Sequence, residues 1–190
     1  MRTLKYLLAL LLIISCAIAC KNEASKIEES TSESWKLEFK KKLSEYGHRN
    51  WILIVDKAFP LQNSTGIVTI DTHQDLLKVL DYTLSQIDSS SHVKPLIYTD
   101  KELNYISKEQ VENIGDYRAA LLKSIGKYQP QSMLHDSVFV NIDKASKLFK
   151  VLVLKTDEVI PYSSVFIQLD CKYWTTEKEN NLRTNMRFHP

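Results

Sequence analysis

Glycine is scarce in this chain. Its 190 residues include four, Gly47, Gly66, Gly115 and Gly126. Neither G-x-G-x-x-G nor G-x-x-x-x-G-K-[ST] can be assembled from them. This excludes the common dinucleotide and triphosphate cradles, which need bare backbone against phosphate. Cysteine is scarcer still, with Cys16, Cys20 and Cys171 the full set. No Cys/His cluster has zinc spacing, and H-E-x-x-H and G-x-S-x-G are both missing. Charge of one sign is also lacking. The formal net charge is +2, and without Arg2 and Lys5 the basic and acidic residues balance. A chain without a basic stripe is not built for nucleic acid. What survives is chemistry needing neither cofactor nor metal.

The first twenty residues read as an export signal. Arg2 and Lys5 form a short positive region, and Tyr6 to Ile14 is almost purely apolar but too short to span a bilayer. Cys16 and Cys20 each follow a small residue, as lipoprotein processing requires, and Cys20 stands directly before a polar stretch. The expectation is lipidation at Cys20, with Cys16 as the alternative, and a lipid anchor at the bacterial cell envelope facing the periplasm or on the outer membrane. Residues 21–34, KNEASKIEESTSES, are charged and Ser-rich and read as a flexible tether. Residues 35–190 are then one domain of ordinary size. Cys171 is left as its only cysteine, a packed free thiol with no disulfide framework.

Periodicity outlines the elements. Trp35, Phe39, Leu43 and Tyr46 predict a helix over 35–46, with Gly47 as its stop. Trp51–Val55 is a buried strand, and a loop around Pro60 and Gly66 leads to a second strand at Ile67–Ile70. Leu76, Leu77, Leu80, Leu84 and Ile87 predict a helix over 73–88. Val93–Tyr98 is a strand, 107–126 a helix weakened by Gly115, and 137–148 a short helix. Strands at 149–154 and 164–169 and a polar helix at 175–187 complete the chain. Strands alternating with helices predict a single α/β domain whose central sheet is flanked by helices.

The sharpest local feature is Gly47-His48 before the Trp51–Val55 strand and Asp56 after it. Polar residues bracketing a buried strand can line a site, and an imidazole suits proton transfer near neutral pH. Read alone, His48 could equally be a surface residue and Asp56 a turn former. Arg49 and Asn50 read as turn residues, His73 as a cap-region residue, and His92 and His189 as surface residues. Trp174 beside Tyr173 could stack on a sugar or simply pack.

Gly47-His48, the apolar run, Asp56 and Pro60 together resemble the signature near the start of the D-ribose pyranase / L-fucose mutarotase (RbsD/FucU) family. Lys155-Thr156-Asp157-Glu158 through Pro161-Tyr162-Ser163-Ser164-Val165 resembles that family's Arg-Thr-Gly-Glu-x-x-Pro-Tyr-(Ala/Gly)-Asn-Ile segment. Leu134-His135-Asp136 lies where ribose pyranases carry a binding histidine. The resemblance spans residues 36–171. It implies an RbsD-like fold and a cofactor-free isomerase that interconverts anomers or pyranose and furanose forms of a free monosaccharide. It implies His48 and Tyr162 as catalytic groups, with Asp56, His135, Ser163 and Ser164 binding substrate. It also implies a homo-oligomer with sites near subunit contacts. Ser164 stands where the family has Asn, and a hydroxyl reaches less far than an amide. That departure favours a second reading, a non-catalytic sugar-binding envelope lipoprotein; because fold does not fix function, an interaction protein on the same fold is a third.

Overall fold

A computed structural model describes residues 34–188; Cys16, Cys20, His189 and all of the tether but its last residue lie outside them. All five residues of β1 (Trp51–Val55) are buried, but they face opposite ways. Ile52 and Ile54 enter one apolar cluster, while Trp51, Leu53 and Val55 enter another. Strand β5 (Val151–Lys155) divides likewise, with Leu152 and Leu154 on the first side and Val151 and Val153 on the second. Period-two alternation with both faces apolar marks strands at the centre of a covered sheet. Each fully buried aliphatic side chain stabilises the fold by about 1.5–3 kcal/mol relative to exposure.

The sheet has six strands in the order β2-β5-β1-β6-β3-β4, with β2 at Ile67–Asp71, β3 at Val93–Asp100, β4 at Gln131–Met133 and β6 at Val165–Cys171. Pairing is parallel for β1–β5, β2–β5 and β3–β4, and antiparallel for β1–β6 and β3–β6. Only β6 therefore runs against the others. Helices α1 (34–45), α2 (Leu76–Ser89) and α3 (Ile114–Ile125) cover one face through residues such as Phe39, Leu80 and Leu121. Helix α4 (His135–Leu148) covers the other through Val138 and Ile142. Helix α5 (Thr176–Phe188) is polar and exposed. The expected single α/β domain with helices flanking a central sheet is the observed architecture. Among the described residues, no helix is long and apolar enough to cross a membrane.

Local chemistry fixes several joints. The Asp75 carboxylate accepts from the Lys78 amide at 3.0 Å and caps α2. At Gly66 an added Cβ would lie 2.0 Å from the Ser146 carbonyl oxygen of α4, so the loop can pass only as glycine. The structure also corrects some boundaries. Residues 107–113 form turns rather than the start of a helix, and α3 begins at Ile114. Helix α1 ends at 45, two residues before Gly47, and the left-handed residue there is Arg49, at φ 73°. His92 is half-buried, not a surface group; one of its ring nitrogens lies 3.0 Å from the Tyr46 carbonyl.

Candidate functional site

Five strands running one way bring their carboxyl ends to one edge of the sheet, the usual place for ligand sites in α/β folds. Strand β1 delivers Asp56 there, β3 ends in Asp100, and β4 leads through Leu134 into His135, the first residue of α4. The antiparallel β6 begins at the same edge, so the residues just before it, Tyr162, Ser163 and Ser164, arrive there too.

The loop bearing Tyr162 is pinned on both sides. Thr156 Oγ1 donates to the Val55 carbonyl at 2.7 Å, and Lys57 N donates to the Glu158 carbonyl at 2.7 Å. The buried Tyr117 hydroxyl donates to the Ser163 carbonyl at 3.1 Å. Between these anchors Tyr162 adopts φ 58°, a left-handed conformation that costs a side-chain-bearing residue about 1–2 kcal/mol. Its ring stays exposed and meets the His135 ring edge-on, with centroids 5.2 Å apart at 89°. Phe139, one turn further along α4, also meets the imidazole, with centroids 4.7 Å apart.

His135 is held from below. Its Nδ1 lies 2.9 Å from Oδ2 of Asp100, which is wholly buried, while the imidazole is about one-third exposed, at 35%. Both Glu102 carboxylate oxygens accept from the His135 amide, at 3.1 and 3.2 Å, where acceptors at a helix start satisfy orphan amides. Burial pushes the Asp100 carboxyl up from 3.8 to about 6. The His135 hydrogen bond and charge pull it down, and the charges of Glu102 and Asp56 push it further up. Asp100 Oδ1 has no partner among the described residues. His135 Nε2 makes no hydrogen bond among the described residues, which leaves it available to a ligand.

Asp56 completes the group. Oδ1 accepts from the Ala58 amide at 2.9 Å, and Oδ2 accepts from Ser164 Oγ at 3.1 Å. Both serines differ from expectation, because neither side chain faces solvent. Ser164 is buried behind Asp56, and the Ser163 hydroxyl is buried with no partner among the described residues. The cause is the turn into β6, which brings Tyr162 outward and drives the next two side chains in.

His48 stands apart from the other named residues. Within one chain it does not converge with Tyr162, because it precedes β1 while Asp56 follows it. Five residues of strand put roughly 13 Å or more between them. His48 is exposed at the amino edge, lining a cavity of about 750 Å³ with His92, Cys171, Tyr173, Trp174 and Glu179. Asp100 and Glu102, in turn, were not apparent from the sequence. The cue was available, since an Asp closing a strand is the same signal that marks Asp56.

A metal is not needed to satisfy the acidic groups nearby. Ligand atoms of Asp71, His73 and Asp157 lie within 4.8 Å of one another, but Lys57 Nζ already sits 2.6 Å from Asp157 and 3.6 Å from Asp71.

No protein-family model matches the chain, and no curated protein matches it. Solved structures similar to it include RbsD of Bacillus subtilis complexed with D-ribose, at 16% identity and TM-score 0.47, covering 67% of this chain and 87% of that one. The fucose mutarotase of Streptococcus pneumoniae in complex with L-fucose is similar at 18% identity and TM-score 0.47, covering 67% and 87%. FucU of Bifidobacterium longum is similar at 17% identity and TM-score 0.43, covering 67% and 89%. The functional reading of the present chain is therefore drawn from its own site.

Proposed function

We propose that the chain is a cofactor-free isomerase that interconverts anomers or ring forms of a free monosaccharide. The observation that carries this reading is the edge-on pair of His135 and Tyr162 at the carboxyl edge of the sheet, 5.2 Å between centroids. Mutarotation needs two proton carriers on neighbouring oxygens and nothing else. His135 Nε2 takes the proton of the anomeric hydroxyl as the C1=O bond forms. The C1–O5 bond breaks with its electron pair passing to the ring oxygen, which takes a proton from the Tyr162 phenol. Reclosure on either face returns both protons. Acid–base help of this kind contributes roughly 10²–10⁴-fold. Asp56, steadied by Ser164 and the Ala58 amide, has lone pairs left to accept from sugar hydroxyls.

In this reading the general-base role moves from His48 to His135, because His135 is the imidazole beside Tyr162. His48 joins from a second copy, in a homo-oligomer whose amino edge meets the carboxyl edge of its neighbour. Lipid on Cys20, or on Cys16, holds the assembly at the cell envelope.

A second reading, a sugar-binding protein without turnover, is favoured by one feature. The Ser164 hydroxyl is committed to Asp56, which leaves fewer groups to grip the substrate. Saturation-transfer NMR on ribose, fucose and galactose separates the two. The enzyme accelerates exchange between anomers of at least one sugar. Binding with exchange at the buffer rate selects the second reading, and no binding at millimolar sugar refutes both.

A further inference from the structure

We infer that Asp100 is a positioning residue that locks the neutral His135 imidazole as its Nδ1–H tautomer and so keeps Nε2 as a proton acceptor facing the site. The inference rests on the sugar reaction proposed above for its consequence, but not for its geometry. Three observations carry it. The Nδ1–Oδ2 distance is 2.9 Å, that of a charge-assisted hydrogen bond. Asp100 has no exposed surface, so bulk water cannot compete for the contact, whereas the imidazole remains partly open on its other side. The ring cannot easily turn away. Phe139 and Tyr162 both pack against it, and Glu102 holds the backbone amide of the same residue through both carboxylate oxygens.

The two ring nitrogens of a neutral histidine have opposite roles, and the bond made by one decides the role of the other. An Nδ1–H donating to Asp100 leaves the Nε2 lone pair free. When Nε2 gains a proton from the anomeric hydroxyl, the imidazolium forms next to a carboxylate that stabilises it. The titratable groups facing Asp100 are His135, Glu102 and Asp56, the first on α4 and the others after β3 and β1. Asp100→Asn keeps the shape of the contact but can offer an amide N–H to Nδ1, which turns Nε2 into a donor.

The test is ¹⁵N NMR of the histidines in the full chain at pH 8, with the anomer-exchange assay run in parallel. The wild type is expected to show a pyrrole-type Nδ1 and a pyridine-type Nε2 at His135. In Asp100→Asn that pattern shifts towards the reverse, and exchange falls by roughly a hundredfold or more with an unchanged circular dichroism spectrum. A purely structural Asp100 would change the melting temperature without moving the tautomer. A wild-type His135 that is mostly the Nε2–H form, or one unaffected by Asp100→Asn, overturns the inference. If the variant does not fold, the wild-type spectrum alone still decides. A locked Nδ1–H tautomer in a protein that leaves every sugar at its buffer rate supports the positioning role and defeats the enzymatic reading instead.

Discussion

The carboxyl and amino edges of the sheet carry similar groups and hold them differently. Each has a histidine, exposed aromatic rings and carboxylates. At the carboxyl edge the histidine is tied to a wholly buried Asp100, its amide is tied to Glu102, and the neighbouring tyrosine is forced into a left-handed conformation by anchors on both sides. At the amino edge His48 is exposed, and the Trp174 indole donates to Glu179 of the exposed helix α5 at 2.7 Å. Both edges hold a left-handed residue, Arg49 beside His48 and Tyr162 beside His135, so the difference is the wholly buried carboxylate, a feature that gathers at functional sites. The cavity of about 750 Å³ lies at the amino edge, beside His48 and Trp174.

The largest effects should separate the two edges. His135→Gln is expected to lower catalysed anomer exchange by roughly 10²–10⁴-fold with the fold intact, while Glu179→Gln leaves the rate within about twofold of wild type. Exchange spectroscopy on the purified variants checks both. Equal losses would erase the distinction between the edges. The assembly proposal is sharpened by mixing. His135→Ala is expected to be nearly inactive alone and His48→Ala only weakened, through loss of a contact from the neighbouring copy; co-refolding them should give more exchange than the two variants separately, because some sites then combine an intact edge from each copy. No recovery in a mixture shown to be hetero-oligomeric would remove His48 from the site.

Stability effects come next. Gly66→Ala presses a methyl group into the backbone of α4 and should cost about 3 kcal/mol, read as a lower urea midpoint with unchanged slope. Asp100 gives a pH signature. Its carboxyl is raised from 3.8 to about 6 in the fold, so folding favours the protonated form. The corresponding stability is fully present below pH 3.8 and is lost as pH rises through 6. The stability of the wild type relative to Asp100→Asn should therefore decline between about pH 4 and pH 6.5, by about 3 kcal/mol at most. A flat difference would show that the carboxyl titrates normally. Ser164→Ala is the mildest change, losing the bond its hydroxyl donates to the Asp56 carboxylate and the longer one it accepts from the Asp56 amide, about 1 kcal/mol in all, measurable by thermal melting.

Much of this layout was legible in the sequence. The double-sided strands Trp51–Val55 and Val151–Lys155 declare themselves as short apolar runs, because burial on both faces removes polar alternation. The helices bearing Leu80 and Leu121 were clear from their stripes. Strand β4 was not, since Gln131-Ser132-Met133 is short, lies at an edge and carries no apolar run. Of the named site residues, His135, Tyr162 and Asp56 are brought together at one edge, but which histidine faces the tyrosine was hidden. His48 and Asp56 are near in sequence, yet a strand between two residues separates them, and sequence distance does not reveal that a strand end far away lies closer. Asp100 carries the same strand-closing cue as Asp56, but what distinguishes it, complete burial beside an imidazole, exists only once β3 and α4 have packed.

The most direct measurement is the anomer-exchange rate of a bound free sugar in wild type and in His135→Gln, each verified as folded. The proposed mechanism predicts exchange well above the buffer rate in the wild type and a collapse towards it in the variant. Undiminished exchange without the His135 imidazole would contradict it.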